Sequence, residues 1–96
     1  MGSYTLSVEA EADIRAIAAY TAHQWGLAKA ESYSDGLHAE LERLAAQPSL
    51  GRAFSEERPD YLRRNYEQHA IFFRIVRDGV FIVRVLHSRM DILRHL

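Results

Sequence analysis

The sequence predicts an α+β fold in which an N-terminal strand and an antiparallel helical hairpin pack on a small antiparallel β-sheet, followed by a short C-terminal tail. Three observations predict it: two long segments with helical periodicity, a β-prone C-terminal half, and a turn-rich stretch between them. The 96 residues suffice for one compact domain, which we expect to span residues 1–96. A hydrophobic content of 48% and a charged content of 26% argue against disorder.

The first half of the chain predicts a short strand and then two helices. Residues 4–7 alternate and are β-prone, and Ser7 is a suitable N-cap for the first helix. Gly26 ends that helix, because glycine accepts the backbone conformation needed after a last helical turn. A second apolar stripe with helical spacing continues to Pro48, and the short connection at Gly26 makes the two helices antiparallel.

The second half predicts a long loop and then a sheet. Residues 48–60 contain both prolines and many turn formers, so we expect a loop there. Three predicted strands follow, at residues 61–66, 69–77 and 80–87. Asp78 and Gly79, between the last two strands, favour a type I′ turn that pairs Arg77 with Val80.

Both faces of this last hairpin are mostly apolar, and this is the most informative physical feature of the sequence. A sheet with one face in water would alternate polar and apolar residues more regularly. The helical hairpin can cover only one face. We therefore expect the other face to be covered by the C-terminal segment 89–96, by a partner chain, or by both.

The charges are distributed unevenly, although the formal net charge is only −1. Residues 1–47 carry three basic and seven acidic side chains, whereas residues 48–96 carry nine arginines and six acidic side chains. Eleven of the twelve basic residues are arginine, whose planar guanidinium binds carboxylates and stacks on aromatic rings. This composition favours a specific acidic partner over the coating of nucleic acid, which needs a more basic domain.

Several function classes are excluded by residues that the sequence lacks. It has no cysteine, which excludes disulfides, thiolate zinc sites and cysteine nucleophiles. Its five histidines share no metal-ligand spacing, so we expect neither a metal nor another cofactor. No segment is long and apolar enough to span a membrane, and the first residues do not resemble a signal peptide, so we expect a cytoplasmic protein.

Six local motifs follow one another along the chain. They are Leu6-Ser7 before Ala12-x-Ile14, Trp25-Gly26 with Ala30 and Tyr33, Leu44-Ala45 before Pro48-x-Leu50-Gly51-Arg52, Arg63-Arg64, His69-x-Ile71-Phe72-Phe73-Arg74, and Arg84-Val85-Leu86-His87-x-Arg89-Met90-Asp91. In order and spacing they resemble the ParE branch of the RelE/ParE toxin superfamily over nearly all of residues 4–96. The chain departs from that pattern at Phe73, where tyrosine is common, and at Asp60, where glycine is common.

The resemblance implies a toxin of a bacterial type II toxin–antitoxin pair. It implies a ParD-like ribbon-helix-helix antitoxin whose C-terminal tail wraps the toxin, and operator DNA is then bound only through that antitoxin. It also implies that the protein inhibits DNA gyrase by binding and is not an enzyme. The gyrase target follows from the resemblance alone.

Polar side chains of the C-terminal half are the candidates for binding the antitoxin or the target. Arginine is unusual inside a strand unless its charge is paired or reaches solvent, and the expected register points Arg74 and Arg84 to opposite faces. Internal ion pairs and contact with solvent are the alternative explanations. The candidate binding residues are Arg63, Arg64, Arg74, Arg84, His87, Arg89, Asp91 and Arg94.

Two other functions fit the sequence. A ribosome-dependent mRNA interferase of the RelE branch needs a general base, a general acid and a cation, and suitable residue types are present at Glu67, His69, Arg84 and His87. A single lysine and a net charge near zero argue against docking on ribosomal RNA. The other alternative is a member of the family that has lost its toxicity and serves only as a ligand of the antitoxin.

Overall fold

In a computed structural model that describes residues 2–90, 94 and 95, two helices pack on a five-stranded mixed sheet. The elements are β1 Ser3–Leu6, α1 Val8–Trp25, α2 Leu27–Ala46, a 3₁₀ turn Pro48–Leu50, β2 Arg52–Ser55, β3 Arg58–Tyr66, β4 His69–Val76 and β5 Gly79–His87. The strand order is β1-β5-β4-β3-β2. The predicted α+β architecture is confirmed. The sheet is mixed because β1 runs parallel to β5, whereas the other neighbours are antiparallel.

The two helices begin and end close to their predicted limits. The Ser7 hydroxyl accepts a hydrogen bond from the Ala10 amide at 2.9 Å and donates one to the Val83 carbonyl at 2.6 Å. The N-cap thus also connects α1 to β5. Gly26, with a φ of 93°, is the single residue between the helices. No helix among residues 2–90, 94 and 95 combines the length and apolar character needed to cross a bilayer.

The main core lies between α2 and the sheet, and α1 contributes less to it. Apolar side chains of α2 pack against buried residues of β4 and β5, which include Leu37, Leu41, Leu44, Ile71, Phe73, Val80, Ile82 and Val85. On α1 only Ala10 and Thr21 are buried. The helical spacing of apolar residues on α1 predicts Trp25 to lie in the core or at the seam of the helical hairpin, but Trp25 is 72% exposed and is not part of the core. Much of α1 therefore remains available for contact with another molecule.

The predicted loop over residues 48–60 contains two segments of the sheet, so that part of the prediction is wrong. Strand β2 pairs with β3, which begins at Arg58 and runs through Pro59. A strand of four residues has too short a pattern to be recognised among turn-forming residues. Its stability comes from pairing with β3, which a local sequence window does not reveal.

The β4–β5 turn also differs from the prediction. Val76 pairs with Gly79, so the turn consists of Arg77 and Asp78, and neither has the positive φ that a type I′ turn requires. Gly79 is instead needed where β1 approaches β5, since a Cβ atom there would lie 1.7 Å from the Ser3 carbonyl oxygen. The glycine thus permits strand pairing and does not form the turn.

A β-bulge changes the side-chain directions farther along this hairpin. Phe73 pairs with Ile82 and Phe72 pairs with Arg84, which leaves Val83 as the extra residue of β5. Arg84 therefore lies opposite Phe72, and Phe72 shares its face with Arg74, two residues farther along β4. The prediction that Arg74 and Arg84 point to opposite faces is wrong, because the bulge shifts the alternation by one residue.

Part of the sheet face that points away from the helices is buried within the chain itself. Ala70, Phe72 and Leu86 form a second apolar cluster on it and are at most 3% exposed. Phe54 of β2 contacts Phe72 with ring centroids 5.1 Å apart. The expectation that only the C-terminal segment or a partner chain could cover this face is therefore wrong, because β2 contributes to the cover.

Candidate functional site

A cavity of about 870 Å³ opens between the C-terminal half of α1, the start of α2 and the far end of β5. Its lining includes three large apolar side chains that remain exposed, Tyr20, Trp25 and Met90. We refer to this cavity as the Trp25 groove and define it by Ile17, Tyr20, Trp25, Tyr33, Leu86 and Met90. It exists because β1 pairs with β5 only as far as Ile82, so a helix and not a strand borders the rest of β5.

The Asp13 carboxylate connects α1 to β5 beside the groove. It accepts hydrogen bonds from Arg84 Nε at 2.7 Å, from Arg84 Nη2 at 2.8 Å and from the Val85 amide at 3.0 Å. Arg84 Nη1 donates to the His95 carbonyl at 3.0 Å. The hydrogen bond to Asp13 is the main reason why the pKa of Arg84 is raised. The charge of Arg84 is therefore fixed and neutralised inside the chain.

Two histidines and two tyrosines form a cluster at the other side of the groove. His69 pairs with His87 across the strands, with ring centroids 5.6 Å apart, and the Tyr33 hydroxyl lies 2.5 Å from His69 Nδ1. The Tyr66 ring meets that of Tyr33 edge-on. Burial raises the pKa of Tyr33 to about 12, whereas burial and the neighbouring His87 lower the pKa of His69. At neutral pH this hydrogen bond therefore joins a protonated phenol to a neutral imidazole, and the tautomer of His69 sets which of the two donates.

The outer face of the sheet presents a row of arginines around aromatic rings. The Arg63 guanidinium lies 5.5 Å from the centroid of the Phe72 ring. The Arg58 guanidinium lies 4.5 Å from the centroid of the Tyr61 ring. Alternation places Tyr61 and Arg63 on one face. We refer to this surface as the arginine face and define it by Arg52, Arg58, Arg63 and Arg74, with Tyr61 and Phe72 beneath them.

The predicted binding residues fall into separate places. Arg63 and Arg74 lie on the arginine face, whereas Arg64 and Arg84 form salt bridges within the chain. Arg64 Nε donates to Glu40 at 2.7 Å, and this carboxylate, which is only 5% exposed, also pairs with Arg43. The two internal pairs connect each helix to the sheet.

The remaining predicted residues belong to the end of β5 and the C-terminal segment. His87 lines the groove and accepts a hydrogen bond from the Arg89 amide at 3.2 Å through Nδ1. Arg89 and Arg94 have exposed side chains. Asp91 lies outside the described residues. The role of all eight residues in binding stays a prediction.

Sequence reasoning missed Tyr20, Trp25 and Arg52 as surface candidates. Tyr20 and Trp25 are on a helix that extends beyond the sheet, and a periodic stripe does not show how far the opposing layer reaches. Arg52 was placed in a loop. The only signal for the arginine face is the arginine excess of residues 48–96, which gives no information on their positions in space.

The residue types considered for catalysis do come together in the groove, whose lining includes Glu67, His69, Arg84 and His87. Arg84, however, already binds Asp13 through two of its nitrogens. A cation that is to stabilise charge on a phosphate must be able to reach it. Within the described part of the chain, no group of three or more histidines and acidic residues is arranged to hold a metal ion.

Comparison with solved structures shows which proteins share this fold. A chain of the chromosomal ParDE toxin–antitoxin system from P. aeruginosa superimposes with a TM-score of 0.77 at 21% identity, covering 91% of this chain and 96% of that one. A chain of the RelBE2 toxin–antitoxin complex from Mycobacterium tuberculosis gives a TM-score of 0.61 at 18% identity, covering 91% and 98%. The fold is therefore one found in proteins of toxin–antitoxin systems.

Sequence comparison identifies the family. The chain is 40% identical over 94 residues to Toxin ParE1 of Mycobacterium tuberculosis, covering 97% of this chain and 96% of the relative. It is 37% identical over 98 residues to Toxin ParE of Escherichia coli, covering 100% and 94%. Residues 4–92 match the family described as the ParE toxin of the type II toxin–antitoxin system parDE. The chain belongs to the ParE toxin family, which confirms the resemblance.

The Asp13–Arg84 pair should be important for stability. Asp13→Ala should lower the free energy of unfolding by about 3 kcal/mol, since it leaves a mostly buried guanidinium without its carboxylate. Urea unfolding measures this value. Glu11→Ala, which breaks the exposed pair with Arg15, is the control and should change it by no more than about 0.5 kcal/mol. Similar losses in both variants would contradict the proposed connection between α1 and β5.

The lowered pKa of His69 predicts a loss of stability in acid. The unfolded chain takes up a proton near pH 6.5 and the folded chain only at lower pH, so stability is complete above about 6.5 and falls below it. The cation would face His87, and its Nδ1–H would have to donate to the Tyr33 hydroxyl, with Tyr66 and Glu67 adjacent.

The measurement is urea unfolding between pH 7.5 and about 5, where one proton changes the free energy by at most about 1.4 kcal/mol per pH unit. His69→Gln should flatten this dependence, whereas His23→Gln, at an exposed position of α1, should leave it unchanged. If the free energy of unfolding of His69→Gln depends on pH as steeply as that of the wild type, another group causes the loss of stability in acid.

Proposed function

We propose that the protein is the toxin of a type II toxin–antitoxin pair, that it inhibits DNA gyrase by binding, and that a ParD-like ribbon-helix-helix antitoxin neutralises it. Operator DNA would be bound only through the antitoxin, and the site of action would be the bacterial cytoplasm. Membership of the ParE toxin family supports the class of function. The observation that carries the proposal is the apolar Trp25 groove, which is open in the chain by itself.

The groove has the properties of a stable protein-binding surface. Tyr20 and Trp25 are 65% and 72% exposed and border the same cavity, so their apolar area is contiguous and not scattered. Small proteins rarely leave such a patch in water without a partner. Aromatic residues and methionine are enriched in the buried centres of interfaces. An antitoxin segment that fills the groove would bury all three exposed side chains, including Met90.

A binding mechanism is favoured over RNA cleavage by the state of Arg84. Its guanidinium is neutralised by Asp13 and is only 20% exposed, so it is poorly placed to stabilise a developing phosphate charge. His69 is neutral and bonded to Tyr33, which leaves His87 as the accessible imidazole of the cluster. Arg84 is therefore not the free cation that a mechanism based on these four residues requires.

Docking of an antitoxin in the groove should be visible in the fluorescence of Trp25, the sole tryptophan of the chain. A purified ParD-like antitoxin should shift its emission to shorter wavelength, because the exposed indole becomes buried. Tyr20→Glu retains the indole and should weaken binding by about tenfold or more, since it places a charge in an apolar interface. Val8→Glu, at another exposed apolar position at the other end of α1, is the matched control.

Equal affinities of Tyr20→Glu and Val8→Glu would show that the antitoxin binds elsewhere on the toxin. Absence of any binding to ParD-like antitoxins would contradict the partner assignment itself.

The target is tested in two assays, one with purified toxin and one with cells that express it. Gyrase-catalysed supercoiling should be inhibited with increasing toxin, and addition of the antitoxin should restore it. Primer extension on messages from cells that express the toxin should show no codon-linked cleavage. Cleavage on translating ribosomes with unaffected supercoiling would establish the interferase alternative, and normal colony formation without antitoxin would indicate a member that has lost its toxicity.

A further inference from the structure

We propose that the arginine face is a second docking surface, distinct from the Trp25 groove, and that it binds an acidic segment of the protein that the toxin attacks. This inference rests on the proposed toxin function and adds to it a surface for the target. The two surfaces lie toward different edges of the sheet, because the groove borders β5 beside the helices, whereas Arg52, Arg58 and Arg63 lie on β2 and β3.

Two arginines of the arginine face, Arg52 and Arg63, lie next to each other with no carboxylate of the described residues between them. Arg52 lies directly opposite Arg63 in the β2–β3 ladder, and like charges in this position are unfavourable. Arg63 Nε donates to the neutral amide of Asn65. Within the described part of the chain, Arg52 has no ion pair. An external carboxylate between Arg52 and Arg63 would remove their repulsion.

One acidic side chain does lie within this surface, and its contact is weak. Asp60 is 3.3 Å from Arg74, and the two side chains are 59% and 47% exposed. Exposed ion pairs of this kind contribute little to stability, so a partner's carboxylate can compete for Arg74.

The aromatic rings beneath the arginines hold the guanidinium groups in positions from which they can bind a carboxylate. The Arg63 guanidinium rests over the Phe72 ring, which is fully buried, and the Arg58 guanidinium rests over Tyr61. Stacking restricts the side chain while the edge of the guanidinium can still donate hydrogen bonds. Less conformational entropy is then lost when a planar carboxylate binds.

The charges of the surrounding residues favour a protein over a nucleic acid as the occupant. Glu56 and Glu57 form the exposed turn between β2 and β3, and Asp60 lies within the face. A continuous phosphate chain would be repelled at these three points, whereas separate carboxylates can pair with individual arginines. The net charge of −1 also provides no general attraction for DNA or RNA.

The difference in chemistry between the surfaces assigns the arginine face to the target. A long-lived complex with a neutralising antitoxin needs buried apolar area, which the groove provides and the arginine face does not. Exposed charges mainly accelerate encounter and select the partner. Those properties suit a free toxin that must find a target protein in dilute solution.

The test compares two double variants that change the net charge equally. Arg52→Glu with Arg74→Glu alters the arginine face, while Arg15→Glu with Arg77→Glu alters exposed arginines elsewhere. Far-UV circular dichroism and thermal unfolding verify that each variant is folded. Arg52→Gln with Arg74→Gln, which removes the charges without reversing them, provides an intermediate case.

We expect the Arg52→Glu, Arg74→Glu variant to need at least about tenfold more protein for half-inhibition of gyrase and to relieve growth arrest, because reversed charges repel an acidic partner. Antitoxin affinity, measured by Trp25 fluorescence, should stay within about twofold, since rim or remote charges change affinity little. The control variant should match the wild type in all assays. Growth arrest tests the face even if the target is not gyrase.

Three outcomes would overturn the inference. Full toxicity of the folded Arg52→Glu, Arg74→Glu variant would show that the face does not contact the target. A parallel loss of antitoxin affinity would assign the face to the antitoxin. Arginine-dependent binding of the toxin alone to DNA or RNA would identify a nucleic acid as the occupant. A wild-type chain that neither arrests growth nor inhibits gyrase would instead refute the proposed function.

Discussion

The position of α1 depends on one carboxylate, that of Asp13. Strand β1 pairs with β5 only through Ile82, and beyond this point the edge of β5 needs another hydrogen-bond partner. Asp13 supplies it by accepting from the Val85 amide and from two nitrogens of Arg84. The helix is thereby held beside the free edge, and the space between them becomes the Trp25 groove.

Two surfaces of different chemistry result from this arrangement. The helix layer is wide enough to bury one side of β4 and β5, but α1 extends past the sheet and leaves Tyr20 and Trp25 in water. On the opposite side, Phe54 of the short edge strand and the Arg63 side chain cover Phe72. That side therefore presents mainly guanidinium groups, and Val76 near the β4–β5 turn is an exposed apolar side chain on it. Three large exposed apolar side chains, Tyr20, Trp25 and Met90, border the groove together, and no local sequence pattern predicts this arrangement.

Among the described residues, some arginines form internal ion pairs, whereas others lie on the surface without a carboxylate partner. Arg64 and Arg84 each meet a buried or nearly buried carboxylate from a helix, Glu40 and Asp13. Removing one partner of such a pair leaves an uncompensated charge, so these arginines are structural. Arg52 lies opposite Arg63, and Arg63 donates to the neutral amide of Asn65. The charges of these two arginines are therefore available to a binding partner. All four lie in or next to β-strands, and only long-range contacts distinguish them.

Local sequence patterns were enough to predict the α+β class, the Ser7 cap, the end of α1 at Gly26, the approximate extent of β4 and β5, and the toxin family. These depend on local periodicity, caps and motif order, which act within a few residues. Strand β2, the Val83 bulge, the register of the last hairpin and the exposure of Trp25 were decided by the tertiary structure. Each depends on a neighbour distant in sequence, such as β3 for β2 or the reach of the sheet beneath α1. A one-residue shift in pairing reverses which side chains share a face, and therefore the candidate surfaces could be located only from the assembled fold.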